Sequence, residues 1–278
     1  DDQFEGITLP DCTAKIVQYA DDTTPLVGAE TDFPRLQRHI QTFCEASGAV
    51  INWDKSEAIM LGKWMNNKPD LSNAPDIAAM KWIGPGNLFR YLGTWLGINV
   101  NAQGGIDVVI DAMRAYVVSH TSNNLKTVGA ILIANACILG KVIFQASHSY
   151  VDAYRIANIK SCMNVFTNRN GKKLSFIPWK DKIKPRHQGG PSITLIDCTK
   201  FIPSLHASHI HEILNINCPH LWMQLWIMQL RAISKSHGFI SIDHFLNSTL
   251  NIRKISRKVG VLRMVVSAVK CWKNMNFH

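Results

Sequence analysis

The sequence predicts an α+β protein in which short strands occupy the first hundred residues and helices fill most of the rest. Three observations carry that expectation. Runs of β formers flank two adjacent acids between Lys15 and Val27, the pattern of a hairpin with acids at its tip. From Ile106 the apolar period becomes helical, with Ile106, Val109, Ile110, Met113 and Val117 on one face. Apolar segments of helical spacing then recur as far as Trp272.

Composition narrows the classes. With 278 residues, 46% hydrophobic and 18% charged, the chain can bury a sizeable core and is not of the disordered kind. Its 30 Lys and Arg against 20 Asp and Glu leave a formal charge of +10, unevenly placed. Nine bases stand against Asp181 and Asp197 between Lys160 and Lys200, and nine against Asp243 alone from Arg231 onward. Such asymmetry points to a polyanionic partner, with phosphate neutralisation as the source of affinity; the plainer alternative is a solvated basic surface. Seven cysteines without any CxxC pair favour reduced thiols and an intracellular location. No membrane partner is expected, because the strongest apolar stretch, Val128 to Phe144, is interrupted by Gly129, Asn135, Gly140 and Lys141 and reads as a buried helix.

Taken in order, the first element is the hairpin around Tyr19-Ala20-Asp21-Asp22. Adjacent side chains on a strand point to opposite faces, so both carboxylates meet one ion only if a tight turn intervenes, and Asp21 is the expected principal ligand. Carboxylates suit Mg²⁺, and two such ions about 3.5–4 Å apart clamp the attacking and leaving oxygens of a phosphoryl transfer. The ordinary alternative is an Asp-rich surface turn. Pro25 lacks an N–H, so the second strand should be short or paired on one edge. Thr31 or Asp32 can cap a helix whose face is Phe33, Leu36, Ile40 and Phe43, ended by Gly48 and expected beneath the hairpin. Residues 50–53 and 57–61 read as extended around a turn at Asp54-Lys55. Trp64 to Asn87, with Pro69, Pro75 and Pro85, reads as a loop of little regular structure. Phe89 to Ile98 forms a strand pair containing Tyr91-Leu92-Gly93.

Three helices follow, at 106–117, 125–145 and 151–166, and Lys172 to His187 is a basic connector containing Trp179, Lys180 and Lys182. Interleaved Trp and Lys can stack on bases and neutralise phosphate; equally, Trp179 can anchor the connector to the helices before it. Residues 201–214, 221–233, 241–250 and 260–272 read as further helices. His206, His209, His211, Cys218 and His220 lack the paired ligand spacing of a structural zinc site.

Four stretches, in order, resemble one family. Tyr19-Ala20-Asp21-Asp22 with Thr23-Thr24 resembles the YxDD box of reverse transcriptases in the form typical of LINE-type non-LTR retrotransposons. Gly48 to Ser56 resembles the SGLxxNxxKS segment after that box, Tyr91-Leu92-Gly93 the YLG of the primer grip, and Trp179 to Pro191 the W…P…GGL segment after the thumb. The resemblance implies a partial palm at 1–100 (hairpin, helix and short strands), a helical thumb at 101–170, and a basic connector with a mostly helical extension at 171–278. It implies an RNA-directed DNA polymerase that adds deoxynucleotides to a DNA primer on an RNA template with Mg²⁺. Asp21 and Asp22 would be the metal-binding catalytic acids, with Lys55 near the leaving pyrophosphate. Tyr91, Leu92, Gly93, Arg155, Lys160, Lys172, Lys173 and Trp179 would lie along the nucleic acid. The family also uses an Asp from an earlier strand and a Gly-Gln-Pro segment, neither recognisable before Asp21. The expectation is therefore the C-terminal part of such an enzyme, without fingers and half the palm and inactive by itself. A non-catalytic nucleic-acid-binding remnant is the rival reading.

Overall fold

A computed structural model describes residues 3–9, 12–100, 103–120, 125–170, 173–174, 177–215, 221–246, 248 and 263–276. Helix outweighs strand, 58% against 12%, and the strands lie in small sheets, so the protein is α+β. Among the described residues the strands pair only two by two. The chain divides into one compact unit of residues 1–89 and 97–100 and a second of 90–96 and 101–278.

In the first unit, β1 (Ile7–Leu9) pairs antiparallel with β2 (Cys12–Ala14), and β3 (Ile16–Tyr19) with β4 (Asp22–Pro25). Helix α1 (Asp32–Ser47) ends as the sequence predicts, with Gly48 at φ 69° returning its N–H to the Cys44 carbonyl. Its start differs from expectation. Thr31 stands at the N-cap without a side-chain cap bond, and Asp32 is fully buried instead. The Asp32 carboxylate accepts the Glu5 and Gly6 backbone N–H groups at 3.1 and 3.4 Å and lies 3.6 Å from the Arg35 guanidinium. It thereby ties the chain before β1 to the head of the helix. The approach is close: a Cβ on Gly28 would lie 1.8 Å from the Gly6 carbonyl oxygen.

A second difference concerns what α1 packs on. Phe33 and Leu36 join Trp64, Leu71, Ala74, Ile77 and Trp82, while Phe43 remains exposed. The 64–87 stretch is therefore no bare loop. It contains α2 (Pro75–Ala79) and β6 (Lys81–Ile83), which pairs in parallel with β5 (Glu57–Ile59), and it supplies most of this unit's core. Replacing Asp32 with Ala strands the Glu5 and Gly6 N–H donors and removes the carboxylate facing Arg35, whose guanidinium keeps its bond to the Gln3 carbonyl. The expected loss is about 2–3 kcal/mol of stability in this unit, read as an earlier midpoint in urea with unchanged slope.

The second unit begins in the hairpin of β7 (Leu88–Tyr91) and β8 (Thr94–Gly97). Helix α3 (Gly104–His120) buries Ile106, Ile110, Met113 and Val117, the face predicted from the sequence. A continuous helix then runs Thr127–His148, through α4 (Thr127–Ile133), a π-helical stretch at Ala134–Leu139 and α5 (Gly140–His148). By length and composition alone it is long and apolar enough to cross a membrane, and here one face of it lies in the core. Helix α6 (Ala153–Asn168) adds Ile159, Met163 and Phe166. The N-terminal half of α8 (Cys198–Asn215) closes that core with Cys198 and Ile202. Its C-terminal half, through Ile210 and Ile213, enters a second core with α9 (Leu221–Ser236), α10 (Ile242–Leu246) and α11 (Arg263–Asn276). One helix thus links the 101–170 helices to those that follow.

Two amides on the long helix hold extended chain as a neighbouring strand would. Gln145 accepts the Trp95 N–H at 2.8 Å and donates to the Trp95 carbonyl at 3.0 Å. Asn135, in the π-helical stretch, donates to the Thr194 carbonyl and accepts the Ile196 N–H, both at 2.9 Å. Half-buried backbone groups find their partner in these side-chain amides.

Candidate active site

The β3–β4 register sets Tyr19 opposite Asp22 and Val17 opposite Thr24, leaving Ala20 and Asp21 as a two-residue turn. Ala20 takes the positive φ, 53°, that short hairpin turns demand. Asp21 and Asp22 thus stand together at the tip, one in the turn and one opening β4. The strand rule that sends neighbouring side chains to opposite faces does not govern Asp21. Both acids are exposed, as is Tyr19 at 68%, and among the described residues neither carboxylate has a hydrogen bond or ion pair. Pro25 pairs with Ile16 on one edge only, and the Leu26 N–H donates to the Lys15 carbonyl at 2.8 Å to close the hairpin.

Lys55 ends a short 3₁₀ turn at Trp53–Lys55 of the same unit. The Asn52 side chain accepts its N–H at 3.2 Å, and the Ser56 hydroxyl donates to the Asn52 carbonyl at 2.9 Å. Its side chain is exposed and makes no hydrogen bond or ion pair with Asp21 or Asp22. The turn fixes the backbone from which that ammonium projects.

Tyr91, Leu92 and Gly93 form the tip of the β7–β8 hairpin and belong to the second unit. Leu92 and Gly93 have φ of 45° and 84°, the double positive φ of a type I′ turn, and Gly93 is exposed. A Cβ on Gly93 would meet the Phe144 ring at 3.5 Å, ordinary contact, so the glycine answers to the turn rather than to crowding.

The cations expected along nucleic acid are less free than their sequence positions suggest. Arg155 donates to both Asp107 oxygens at 2.9 and 2.7 Å and to Asp152 at 2.7 Å, joining α3 to α6. The Asp107 carboxylate, then Asp152, holds this guanidinium above its usual pKa. One cation facing two anions leaves a local excess of negative charge, unsuited to meeting phosphate. The Lys160 ammonium lies 5.2 Å over the Trp179 ring, and Trp179 packs on the main helical core, as the anchoring alternative requires. Lys172 lies outside the described residues. Lys173 opens β10 (Lys173–Leu174), which pairs with β9 (Arg169–Asn170).

Lys182 departs furthest from its sequence reading as a surface cation of the connector. It closes the short helix α7 (Trp179–Lys182) and is fully buried. Its ammonium donates to Asn164 Oδ1 at 2.8 Å, Thr167 Oγ1 at 2.9 Å and Asn168 Oδ1 at 2.5 Å, one acceptor for each proton. Burial without a carboxylate lowers its pKa to about 8. The available signal lay in Asn164, Thr167 and Asn168, a polar i, i+3, i+4 group in the last turns of the helix. His206 and His209 serve the end of the long helix. His206 Nε2 lies 2.6 Å from the Ala146 carbonyl, His209 Nε2 lies 3.1 Å from that of Ser147, and burial lowers the His206 pKa.

No family model matches the chain, and no curated protein matches it.

Proposed function

We propose that this chain is the C-terminal part of a LINE-type RNA-directed DNA polymerase. It would comprise a partial palm carrying the acidic hairpin, a thumb of α3 to α6, and a basic helical extension. The supporting observation is the register that sets Asp21 and Asp22 at the tip of a two-residue turn, with both carboxylates unpaired among the described residues. Two such oxygen donors suit Mg²⁺, whose bound form supplies charge neutralisation to a phosphoryl transfer. They are donors from one hairpin, and among the described residues no three His, Cys, Asp or Glu come together as a set. Asp21 and Asp22 are accordingly part of a ligand set that a further palm carboxylate completes. Lys55 would lie near the leaving pyrophosphate. The test is primer extension on an RNA template with Mg²⁺: none from residues 1–278 alone, and extension when a palm segment bearing the further Asp is joined. Extension by the isolated chain would overturn the partial-palm reading.

A non-catalytic nucleic-acid-binding protein is the second reading, favoured by the formal charge of +10. Under either reading, binding draws on phosphate neutralisation and shows little sequence preference. Replacing Lys172, Lys173 and Lys180 together by Ala should flatten the plot of log K against log salt by about 0.7–0.9 for each phosphate no longer neutralised. Lys182→Met should leave the slope unchanged, because its ammonium is sealed from solvent. Fluorescence anisotropy on a labelled oligonucleotide over a salt series reads both.

A further inference from the structure

The long helix Thr127–His148 buries one face among α3, α6 and α8, and its other face is exposed along most of its length, with Phe144 beside Gly93 of the β7–β8 hairpin. On that outer face Val128, Leu132, Ala136, Gly140 and Phe144 recur every fourth residue, all exposed, Leu132 at 52% and Phe144 at 47%. Residues at this interval form the ridge that neighbouring helices pack against. The ridge is bulky at its ends and low in the middle. Leu132 and Phe144 are its bulky ends, with only Ala136 and Gly140 between them on the ridge, a saddle that accepts a helix about 10 Å across.

Gly140 is the informative residue. Its φ of −54° is ordinary helix, and a Cβ placed on it meets nothing within 4 Å. Neither backbone strain nor internal packing calls for glycine there, and glycine weakens a helix. Its use is to let another backbone come close.

Charge selects the occupant. No Asp or Glu occurs between Asp111 and Asp152. Lys141 borders the saddle, with its ammonium 5.5 Å from the Tyr116 ring on α3, and Lys126 and His148 mark the two ends. A second copy of the chain would bring like charges together. Nucleic acid would find no donor on the ridge itself, and a bilayer would gain least from its smallest residues. We propose that the outer face of Thr127–His148, centred on Ala136 and Gly140, docks an acidic amphipathic helix of a partner protein, with apolar residues in the saddle and carboxylates towards Lys126 and Lys141. This surface involves neither Asp21 nor Asp22 and stands or falls apart from polymerase activity.

The probe is a fluorescein-labelled designed helix with Leu and Ala on one face and Glu along its flanks, titrated with the full chain and followed by anisotropy. A matched helix with Lys in place of Glu is the control. The Glu helix should bind at least about tenfold more tightly than the Lys helix, and Gly140→Leu and Leu132→Glu should each weaken it about tenfold. Gly140→Leu should melt no lower than the parent, since the added side chain enters open space. Absence of binding by the Glu helix, equal binding of both helices, or indifference to Gly140→Leu and Leu132→Glu would overturn the proposal. So would a Gly140→Leu-sensitive complex with duplex DNA, or a Leu132→Glu-sensitive complex with anionic phospholipid vesicles.

Discussion

Asn168→Leu should destabilise the helical unit by about 3 kcal/mol at neutral pH, because it takes an acceptor from a buried ammonium and hydrogen bonds to charged groups contribute about 1.5–3 kcal/mol each. The Lys182 ammonium has three neutral acceptors and no carboxylate, so nothing nearby replaces the missing oxygen. The penalty should depend on pH in a definite direction. Lys182 has a folded pKa of about 8 against an ordinary 10.5, so between those values the unfolded chain holds more protons than the folded one. Stability therefore gains from this group as pH rises from about 8 to 10.5 and loses that gain as pH falls back. At about 1.4 kcal/mol per unit the contribution is at most about 3 kcal/mol. A neutral amine needs fewer acceptors, so Asn168→Leu should cost less at pH 10 than at pH 7. Lys182→Met removes the charge, leaves Asn164 bonded to Asn168 and Asn168 to the Ile177 N–H, and should abolish this part of the pH slope. Adding Lys182→Met to Asn168→Leu should then restore much of the stability. Urea denaturation of the four proteins at pH 7 and pH 10 gives the cycle. A penalty for Asn168→Leu that is unchanged by Lys182→Met would show that the ammonium is not what Asn168 serves.

Lys182 also shows where sequence reading stops. A lysine among Trp179, Lys180, Asp181 and Lys184 reads as one more surface cation, and its acceptors lie 14 to 18 residues away on another helix. Arg155 is similar, since its strongest partner, Asp107, is 48 residues distant. Pairing across such intervals is set by how helices pack, which periodicity does not encode. Periodicity does encode the buried face of α3, where the side chains turned inward are those spaced for it. In the long helix, glycine is a poor guide to where helix stops. Gly129 and Gly140 each cost about 1 kcal/mol relative to Ala, and burial of Ile131, Ile138, Leu139 and Val142 outweighs that. Between Trp64 and Asn87 the opposite bias operates. Prolines and asparagines mark a loop, yet Trp64, Leu71, Ala74, Ile77 and Trp82 converge on Phe33, although only Ile77 lies in α2 and only Trp82 in a strand.

The hairpin is legible because its signal is local: β formers on both sides of a turn, with register fixed by a two-residue connection. What its acids do is tested by Asp21→Asn in the chain joined to an upstream palm segment. Asn keeps the size of Asp and the exposed turn position, so the fold should be unaffected, with the same circular dichroism and melting temperature. It removes one negative charge where cationic metal and developing phosphoryl charge would meet. Removing a single electrostatic interaction of that kind typically costs about 10²–10³-fold in kcat, and groups acting as a unit lose more together than singly. Incorporation should therefore fall by at least about 10²-fold. Asp22→Asn should reduce it less, because Asp22 lies on the β4 ladder opposite Tyr19 and in the proposed site would only assist Asp21. Raising Mg²⁺ should recover part of the activity for Asp22→Asn by mass action and little of it for Asp21→Asn. Equal activity of parent and Asp21→Asn, with the fold intact, would leave the tip an ordinary acidic turn and remove the polymerase reading with it.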